Sequence, residues 1–548
     1  CKEQSQTIKY IVYGILSCAY FIAACVLNFQ RAIALVVLNC LAVFFIIYDL
    51  VKRYKGDSLK RCFRPVERCF RGNVRWVFLV VVLALLVTWL AVDTSKRPEQ
   101  LISFGGICLF LLLIYIFSVH REAVSWRAVF WGLGLQFVIG LFVIRTEPGL
   151  TAFKWLGDQV QIFLNYTIAG SSFVFGNDLV TQAFAFQALP IIVFFSSVMS
   201  VLYYLGIMQW IIIKIAWIMQ ITMGTSPTET LSVAGNIFVG QTEAPLLIRP
   251  YLQEMTKSEI HAVMTGGFAT IAGSVMGAYI SFGIDAASLI SASVMAAPCA
   301  LGLAKLSYPE TCKTKFKTKD QIKVDSSGEQ NILEAASNGA SASIALVANI
   351  AANLIAFLAI LDFINAALKW LGGMVGYPEI TFEMICSYVF MPVTFMMGIP
   401  YEESFVAAEL IGTKLFLNEF LAYERLSKLK NNRLNGLPPV SDSERQWISV
   451  RSETICTYAL CGFANFTSLG IMIGGLSSIC PSRRGDISKT VMRALFTGTC
   501  ASLVNACIAG LLFVPPLDCL DVFRNSVFNK PFLELKICCD LYNNTMCF

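Results

Sequence analysis

The sequence predicts an all-α, multi-spanning membrane protein with 11 transmembrane helices and two re-entrant hairpins in an inverted repeat. Three observations lead there. Only 14% of the 548 residues are charged and 56% are hydrophobic, whereas a soluble protein of this length carries nearer a quarter charged. Apolar runs long enough to cross a bilayer, roughly 17 to 25 residues, recur along the chain, as at 76–92, 101–119 and 128–144. Beyond these, a set of polar motifs occurs twice in one order. A soluble core cannot place so many such runs in one chain.

The first elements are spans near 9–28, 33–50, 76–93, 101–119 and 126–145. Residues 1–95 are expected to hold three of them, and 96–180 scaffold helices and an interfacial segment. The net charge of +6 is not a nucleic-acid signature, because it is concentrated between apolar segments: nine Lys or Arg and two acids lie between Lys52 and Arg75. That pattern is a cytoplasmic loop under the positive-inside rule, with contact to anionic lipid heads as a further reading. No cleavable signal-peptide pattern opens the chain, and its start at Cys1 is expected to follow further residues upstream.

After residue 180 the chain becomes richer in Gly, Ser, Thr and Asn. Polar groups at membrane depth are expensive and usually face a site or a cavity. The first copy of the repeat, 181–305, has a span ending Tyr203-Tyr204-Leu205-Gly206 and an apolar segment, 209–222, ending Met223-Gly224. Pro227-Thr228-Glu229, Gly235 and Glu243 follow, then Ser258-Glu259, Gly267-Phe268-Ala269-Thr270 and a last span near 286–304. A cytoplasmic linker is expected over 306–340. The second copy, 341–515, has a span near 345–372 ending Lys369-Trp370-Leu371-Gly372 and an apolar segment, 382–396, ending Met397-Gly398. Pro400-Tyr401-Glu402, Gly412, Glu419, Ser452-Glu453, Gly462-Phe463-Ala464-Asn465 and a last span near 488–514 complete it. Six matches in one order are not accidental.

Each copy has a physical reading. The segment around Gly235–Glu243 is too short and polar to span alone, and suits a re-entrant helical hairpin whose tip faces protein or water. The expected hairpins cover about 225–250 and 402–428. The Gly-Phe-Ala segments suit helices broken at mid-membrane, about 258–281 and 451–478, which free carbonyls and half-helix ends for substrate and ion. With 209–222 and 382–396 in the interface, each copy crosses three times and the second is inverted. The amino end is then cytoplasmic and the carboxyl end extracellular. The 516–548 tail, with Cys519, Cys538, Cys539 and Cys547, suits an oxidising compartment. The glycosylation sequons at Asn543 and Asn165 also fall outside, and Lys313–Lys323 and Arg483-Arg484 fall inside. One feature disagrees: the basic stretch Arg425–Arg433 falls outside.

The densest constellation runs from Gly235 to Glu243, with a carboxylate, two amides and a hydroxyl. A satisfied helix–helix network would also use such groups. Glu243 and Glu419 at matching positions favour a site, because buried carboxylates need cations or strong donors. Sugar hydroxyls and base N–H groups are such donors, and sodium is such a cation.

These residues carry a resemblance. The run Gly240-Gln241-Thr242-Glu243-Ala244-Pro245-Leu246-Leu247, with Asn418-Glu419-Phe420 and Gly462-Phe463-Ala464-Asn465, resembles the concentrative nucleoside transporters, and the likeness to vertebrate members spans essentially the whole chain. It implies a homotrimer, a mobile transport domain against a scaffold, and elevator-type alternating access in the plasma membrane. It also implies roles. Gln241, Thr242 and Glu243, with Ser274 and Val275, would meet the base; Glu419, Asn465 and Ser468 would hold the ribose beside Phe463. The Asn236 side chain, Val239 carbonyl, Thr270 hydroxyl and Ile271 carbonyl would hold sodium as coupling ion, with no other cofactor. Phe463 as packing alone, and the breaks as purely structural, are the competing readings.

Within that family, Gly240-Gln241 with Ser274-Val275 resembles carriers that take both base classes, so uridine, cytidine, adenosine and inosine are the expected substrates. Ile284-Asp285 and Ala297-Pro298-Cys299-Ala300 look more like narrower carriers, which keeps a pyrimidine-preferring reading open. Proton coupling is the closest rival, since Cys461 holds a position the family links to cation choice. An elevator carrier for acidic solutes would need a cation at the tips, where Glu243 and Glu419 stand instead. An intramembrane enzyme is disfavoured by the two histidines, His120 and His261, and by the lack of paired aspartates within a span.

Overall fold

A computed structural model of the chain describes residues 19–29, 32, 35–37, 39–40, 43, 47, 88, 98–182, 184–316, 329–441 and 444–514. The chain forms two units, Cys1–Ser95 and Lys96–Phe548. In the first, 19–27 is helical, within the expected span 9–28. Of the expected span 33–50 only 35–37, 39–40, 43 and 47 are described, all helical, and of 76–93 only residue 88; the tail from 516, its cysteines and Asn543 lie outside the described residues.

Among its described residues the second unit is helical apart from a two-residue ladder that pairs Val440–Ser441 with Glu444–Arg445. Two helices lead, α1 (Pro98–Ile116) and α2 (Trp126–Arg145). Three shorter ones follow, α3 (Glu147–Asn165), α4 (Thr167–Phe175) and α5 (Asn177–Gln182). Asn165 of the first sequon is exposed at the α3–α4 junction.

The element order then repeats. The first copy is α6 (Phe184–Tyr204), α7 (Ile207–Met223), a hairpin, a broken helix α9 (Lys257–Ala269) and α10 (Gly273–Ser281), and α11 (Ala286–Ser307). The second is α12 (Ile332–Met374), α13 (Phe382–Met396), a hairpin, a broken helix α16 (Val450–Leu460) and α17 (Phe466–Ile479), and α18 (Arg484–Leu512). A sharp bend of 80° separates α6 from α7, and one of 116° separates α13 from the hairpin arm that follows it.

The structure changes three expectations. The first hairpin is helical but not α-helical on both sides: α8 (Pro227–Gly235) returns as a 3-10 helix, Ala244–Glu254. Pro245 and Pro250 remove two backbone donors from that return arm, and Pro250 in its interior disfavours a regular α-helix. The second hairpin is helical on both sides, α14 (Tyr401–Phe416) and α15 (Glu419–Leu434). The 306–340 linker is also shorter than expected, because α12 starts at Ile332 and runs 43 residues. Asn331 caps it by accepting from the Glu334 amide, and the Ala- and Ser-rich run after it sustains a helix. Finally, the two Gly-Phe-Ala motifs are not in register with their breaks. In the first copy the motif closes the half-helix at Ala269; in the second it forms the gap between Leu460 and Phe466.

Among the described residues, six helices are long and apolar enough to cross a membrane, or up to eight if each bent pair is one span. They divide by burial. The broken helix 257–281 is 94% buried across its most apolar window, α18 with its preceding turn 89% and α11 83%, against 6% for α12. The first set forms a core, and α12 presents its length to whatever surrounds the chain.

Core helices approach closely through small residues, as apolar surroundings require. A Cβ on Gly132 of α2 would lie 3.1 Å from Gly302 Cα of α11 and 2.7 Å from Pro298 O. Buried amides clasp the same helices: Gln136 donates to Asn505 at 3.0 Å, and Asn505 donates to Ala292 O at 2.9 Å. Lys305 is fully enclosed and pairs with Glu229 at 2.6 Å, with Ser258 Oγ at 3.0 Å from its Nζ. Removing one partner of such a pair costs about 3–5 kcal/mol, because the other charge is left uncompensated. Lys305→Met is therefore expected to lower the thermal midpoint of the purified protein, and adding Glu229→Gln to recover most of the loss. Additive losses in that double-mutant cycle would show the pair to be uncoupled.

The basic stretch that contradicted the topology is charge-paired. Arg425 meets Glu383 at 2.8 Å, Lys428 meets Glu424 at 2.6 Å, and Arg433 and Lys430 both meet Glu453. Apart from the Lys428–Glu424 pair within one helix, its charge serves contacts between elements.

Candidate functional site

Both hairpin tips and both helix breaks converge. Gly273 N–H, at the first break, donates to Phe238 O of the first tip at 3.0 Å. Phe463 N–H, in the second break, donates to Thr270 O in the first at 3.3 Å. Thr467 Oγ1 donates to Leu417 O of the second tip at 3.1 Å. Gly462 makes the junction possible: its φ is +134°, and a Cβ there would lie 2.9 Å from Phe268 O and 3.0 Å from Ala269 O.

Between these pieces lies a cleft of about 700 Å³, counting the open space at its mouth. Gly240, Gln241, Thr242, Glu243 and Val275 line it from the first copy, and Glu419, Phe463, Asn465 and Ser468 from the second. These are nine of the expected base, ribose and selectivity positions. Ser274 is not among the lining residues; it is buried beside Val275, which is.

Glu419 anchors the second side. It is the first residue of α15, whose cap Asn418 accepts from Leu421 N–H at 3.0 Å. Its carboxylate accepts from Asn465 Nδ2 at 2.7 Å and from Tyr279 OH at 3.2 Å. Asn465 has two tasks, since its Oδ1 caps α17 by accepting from Ser468 N–H at 2.7 Å. Opposite, Glu243 accepts from Gly240 N–H at 3.2 Å, while Gln241 Oε1 is buried with no partner. A buried acceptor without a donor costs about 1–3 kcal/mol, so this side suits a ligand that brings N–H groups.

The four expected ion ligands lie on the first tip and the first break, which the Gly273–Phe238 bond joins. Asn236 caps the end of α8 and is fully buried, and neither of its amide atoms has a hydrogen-bond partner. Val239, Thr270 and Ile271 are buried around the same tip and break. Thr270 Oγ1 donates to Gly266 O at 2.8 Å, which leaves its lone pairs available. Uncharged oxygens of amide, hydroxyl and carbonyl at a helix break suit a monovalent hard cation. Among the described residues no group of three or more His, Cys, Asp or Glu could hold a metal ion.

Several lining residues carry no motif. Leu346, Ile350, Asn353 and Leu354 reach the cleft from α12. Asn349 and Asn353, one turn apart in an apolar helix and 3.3 Å from each other, are the sequence signal that could have found this face. Tyr279 gave none. Cys461 is fully buried, and its carbonyl accepts from Ser502 Oγ at 3.3 Å.

Three family signatures cover most of the second unit. "Na+ dependent nucleoside transporter C-terminus" matches 288–510, its N-terminus counterpart 105–178, and "Nucleoside recognition" 185–286. The chain belongs to the sodium-dependent nucleoside transporter family. It is 58% identical to Sodium/nucleoside cotransporter 1 of Sus scrofa over 100% of this chain and 89% of that one. It is likewise 58% identical to Sodium/nucleoside cotransporter 2 of Rattus norvegicus, over 98% and 83%. Solute carrier family 28 member 3 of Eptatretus stoutii is 54% identical, over 99% and 81%. The solved CNTnw transporter in an inward-facing substrate-bound state has a TM-score of 0.70 at 35% identity, covering 76% of this chain and 100% of that one. A variant of CNTnw in an outward-facing state also scores 0.70, covering 76% and 98%. As a member of this family the chain is a multi-pass membrane transporter, not an enzyme, and sodium is its coupling ion.

Proposed function

We propose that this transporter imports both purine and pyrimidine nucleosides across the plasma membrane, driven by the sodium gradient. The observation that carries the reading is the pairing of two unlike sides in one cleft. One side holds the doubly hydrogen-bonded Glu419 with Asn465. The other holds Gln241 with an unpartnered acceptor, next to Gly240. A carboxylate bridges vicinal hydroxyls with charge-assisted bonds, and an amide matches the donor and acceptor edge of a base. Gly240 has no side chain; an added Cβ would already touch Ala272 at 3.6 Å and Glu243 at 3.8 Å, so its absence widens the base side, which favours a larger base. Relatives numbered 1, 2 and 3 match at similar identity; the breadth therefore rests on Gly240, Gln241, Ser274 and Val275.

Ser274 acts in this reading from behind Val275, through the shape of the pocket wall. Asn236, Val239, Thr270 and Ile271 bind sodium. The buried repeat moves as a transport domain against the scaffold, in a homotrimer, and the exposed apolar length of α12 supports its role as scaffold. The amino end is cytoplasmic, the tail extracellular, and Asn543 and Asn165 are glycosylated.

Uptake of radiolabelled uridine, cytidine, adenosine and inosine in oocytes tests the reading. Comparable sodium-dependent rates are expected for all four. Complete exclusion of either base class at saturating sodium would overturn the breadth, and full activity in sodium-free acidic medium would overturn sodium as driver.

A further inference from the structure

Lys414 lies in the last turn of α14 with 2% of its surface exposed. Its Nζ donates to Ala459 O at 2.8 Å. A buried ammonium is costly unless charge and hydrogen bonds compensate it. Two sources of negative charge do so. Ala459 belongs to the last turn of α16, so its carbonyl lies at the negative end of a half-helix. Glu419, 3% exposed, opens α15 just across the turn at 417–418 from the last turn of α14 that carries Lys414.

The first copy has the same local architecture. Its first hairpin arm, α8, packs on its first half-helix, α9, as α14 packs on α16. There the arm ends in Asn236, whose amide has no partner. Its Nδ2 faces Gly266, one turn from the end of α9, where a Cβ would come within 3.2 Å. One copy thus places an unsatisfied neutral amide between arm and half-helix end, and the other an ammonium.

We propose that Lys414 is a tethered cation, occupying in the second copy the place that a sodium ion occupies in the first, and balancing Glu419 so that the ribose anchor stays ionised. This rests on the sodium reading of the Asn236 cluster. Because the ammonium is covalently attached, it moves inward and outward with the protein and adds nothing to the ion gradient used. Lys414 is a positioning residue: it acts on substrate through Glu419.

The test is uridine uptake by the full chain across a sodium titration, normalised to surface-biotinylated protein. Lys414→Met is expected to lose uptake roughly 100-fold or more, as for a buried charge deprived of its partner. Lys414→Arg, which keeps the charge, should exceed Lys414→Met by at least ~10-fold. Lys414→Asn copies the amide of the first copy, so it should recover uptake at high sodium, with the sodium Hill coefficient raised by about one. A merely structural lysine would not steepen sodium activation. Lys414→Met with wild-type uridine KM and sodium activation, or an unchanged Hill coefficient in an active Lys414→Asn, would overturn the proposal. If neither variant transports, thermal shifts of the purified proteins decide. Sodium should still stabilise Lys414→Met through Asn236 while uridine no longer does; loss of both, or retention of both, overturns it. Asn236→Leu separates the underlying reading. Wild-type sodium activation in that variant removes the first site, whatever the Lys414 variants do.

Discussion

Replacing Glu419 by alanine is expected to abolish uptake of uridine and inosine alike. The carboxylate is buried, and in the free cleft it is held by Asn465 Nδ2 and Tyr279 OH. Substrate hydroxyls would add charge-assisted bonds, each worth about 1.5–3 kcal/mol. Losing two of them costs on the order of 10²–10⁴ in affinity. The alanine also strands Asn465 Nδ2 and Tyr279 OH without their acceptor. Because the ribose is common to both substrates, the loss must not depend on the base. Glu419→Gln keeps the shape and one acceptor, so it should retain more uptake than alanine. A variant that loses inosine but keeps uridine would move Glu419 from the ribose side to the base side. Asn465 is expected to follow Glu419, since its Oδ1 also caps α17 and its removal frees that helix end.

Asn236→Leu is expected to separate function from stability. The amide is fully buried and both of its polar atoms lack partners, a defect worth about 1–3 kcal/mol in a folded protein. Leucine is of similar size and removes the defect. The variant should therefore melt at the same temperature as the wild type or higher in sodium-free buffer. It should also lose the thermal stabilisation that sodium gives the wild type, and sodium-dependent uridine uptake with it. A destabilised variant with wild-type sodium activation would assign Asn236 a packing role instead. The reasoning is that natural proteins keep unsatisfied buried groups where a ligand completes them.

How much of this was legible in the sequence varies by level. The repeat was legible because its punctuation is local: Pro227 and Pro400 open hairpin arms, and Ser or Thr before Glu259 and Glu453 open half-helices. The tips were legible because carboxylates and amides at membrane depth are expensive and therefore rare. The 3-10 return arm was legible in principle from Pro245 and Pro250, but the symmetry of the repeat suggested an α-helix. The register of the two breaks was not legible. The same three residues end a helix in one copy and form the gap in the other, and the second gap lies against the first half-helix end, with Phe463 N–H on Thr270 O, a contact that no local pattern encodes. The anomaly at Arg425–Arg433 was misleading for a similar reason, since its partners Glu383 and Glu453 lie tens of residues away.

What the sequence by itself determined is the solvent and the parts. A low charge content and long apolar runs require a bilayer, and motifs repeated in order require two copies of one architecture. The residue types at the tips narrow the cargo to something with hydroxyls and N–H donors. Only the tertiary structure decided which parts meet. Tyr279 and Glu419 are 140 residues apart, and Asn465 and Glu419 are 46 apart. Nothing local in the chain encodes those contacts. Likewise Ser274 and Val275 are adjacent in sequence, yet only Val275 lines the cleft, because successive residues on a helix point about 100° apart. Lys414 is the clearest case. In sequence it is one lysine near the end of a helix; in the fold it is buried with its Nζ donating to Ala459 O, where a charge must be balanced because burial withholds solvent from it.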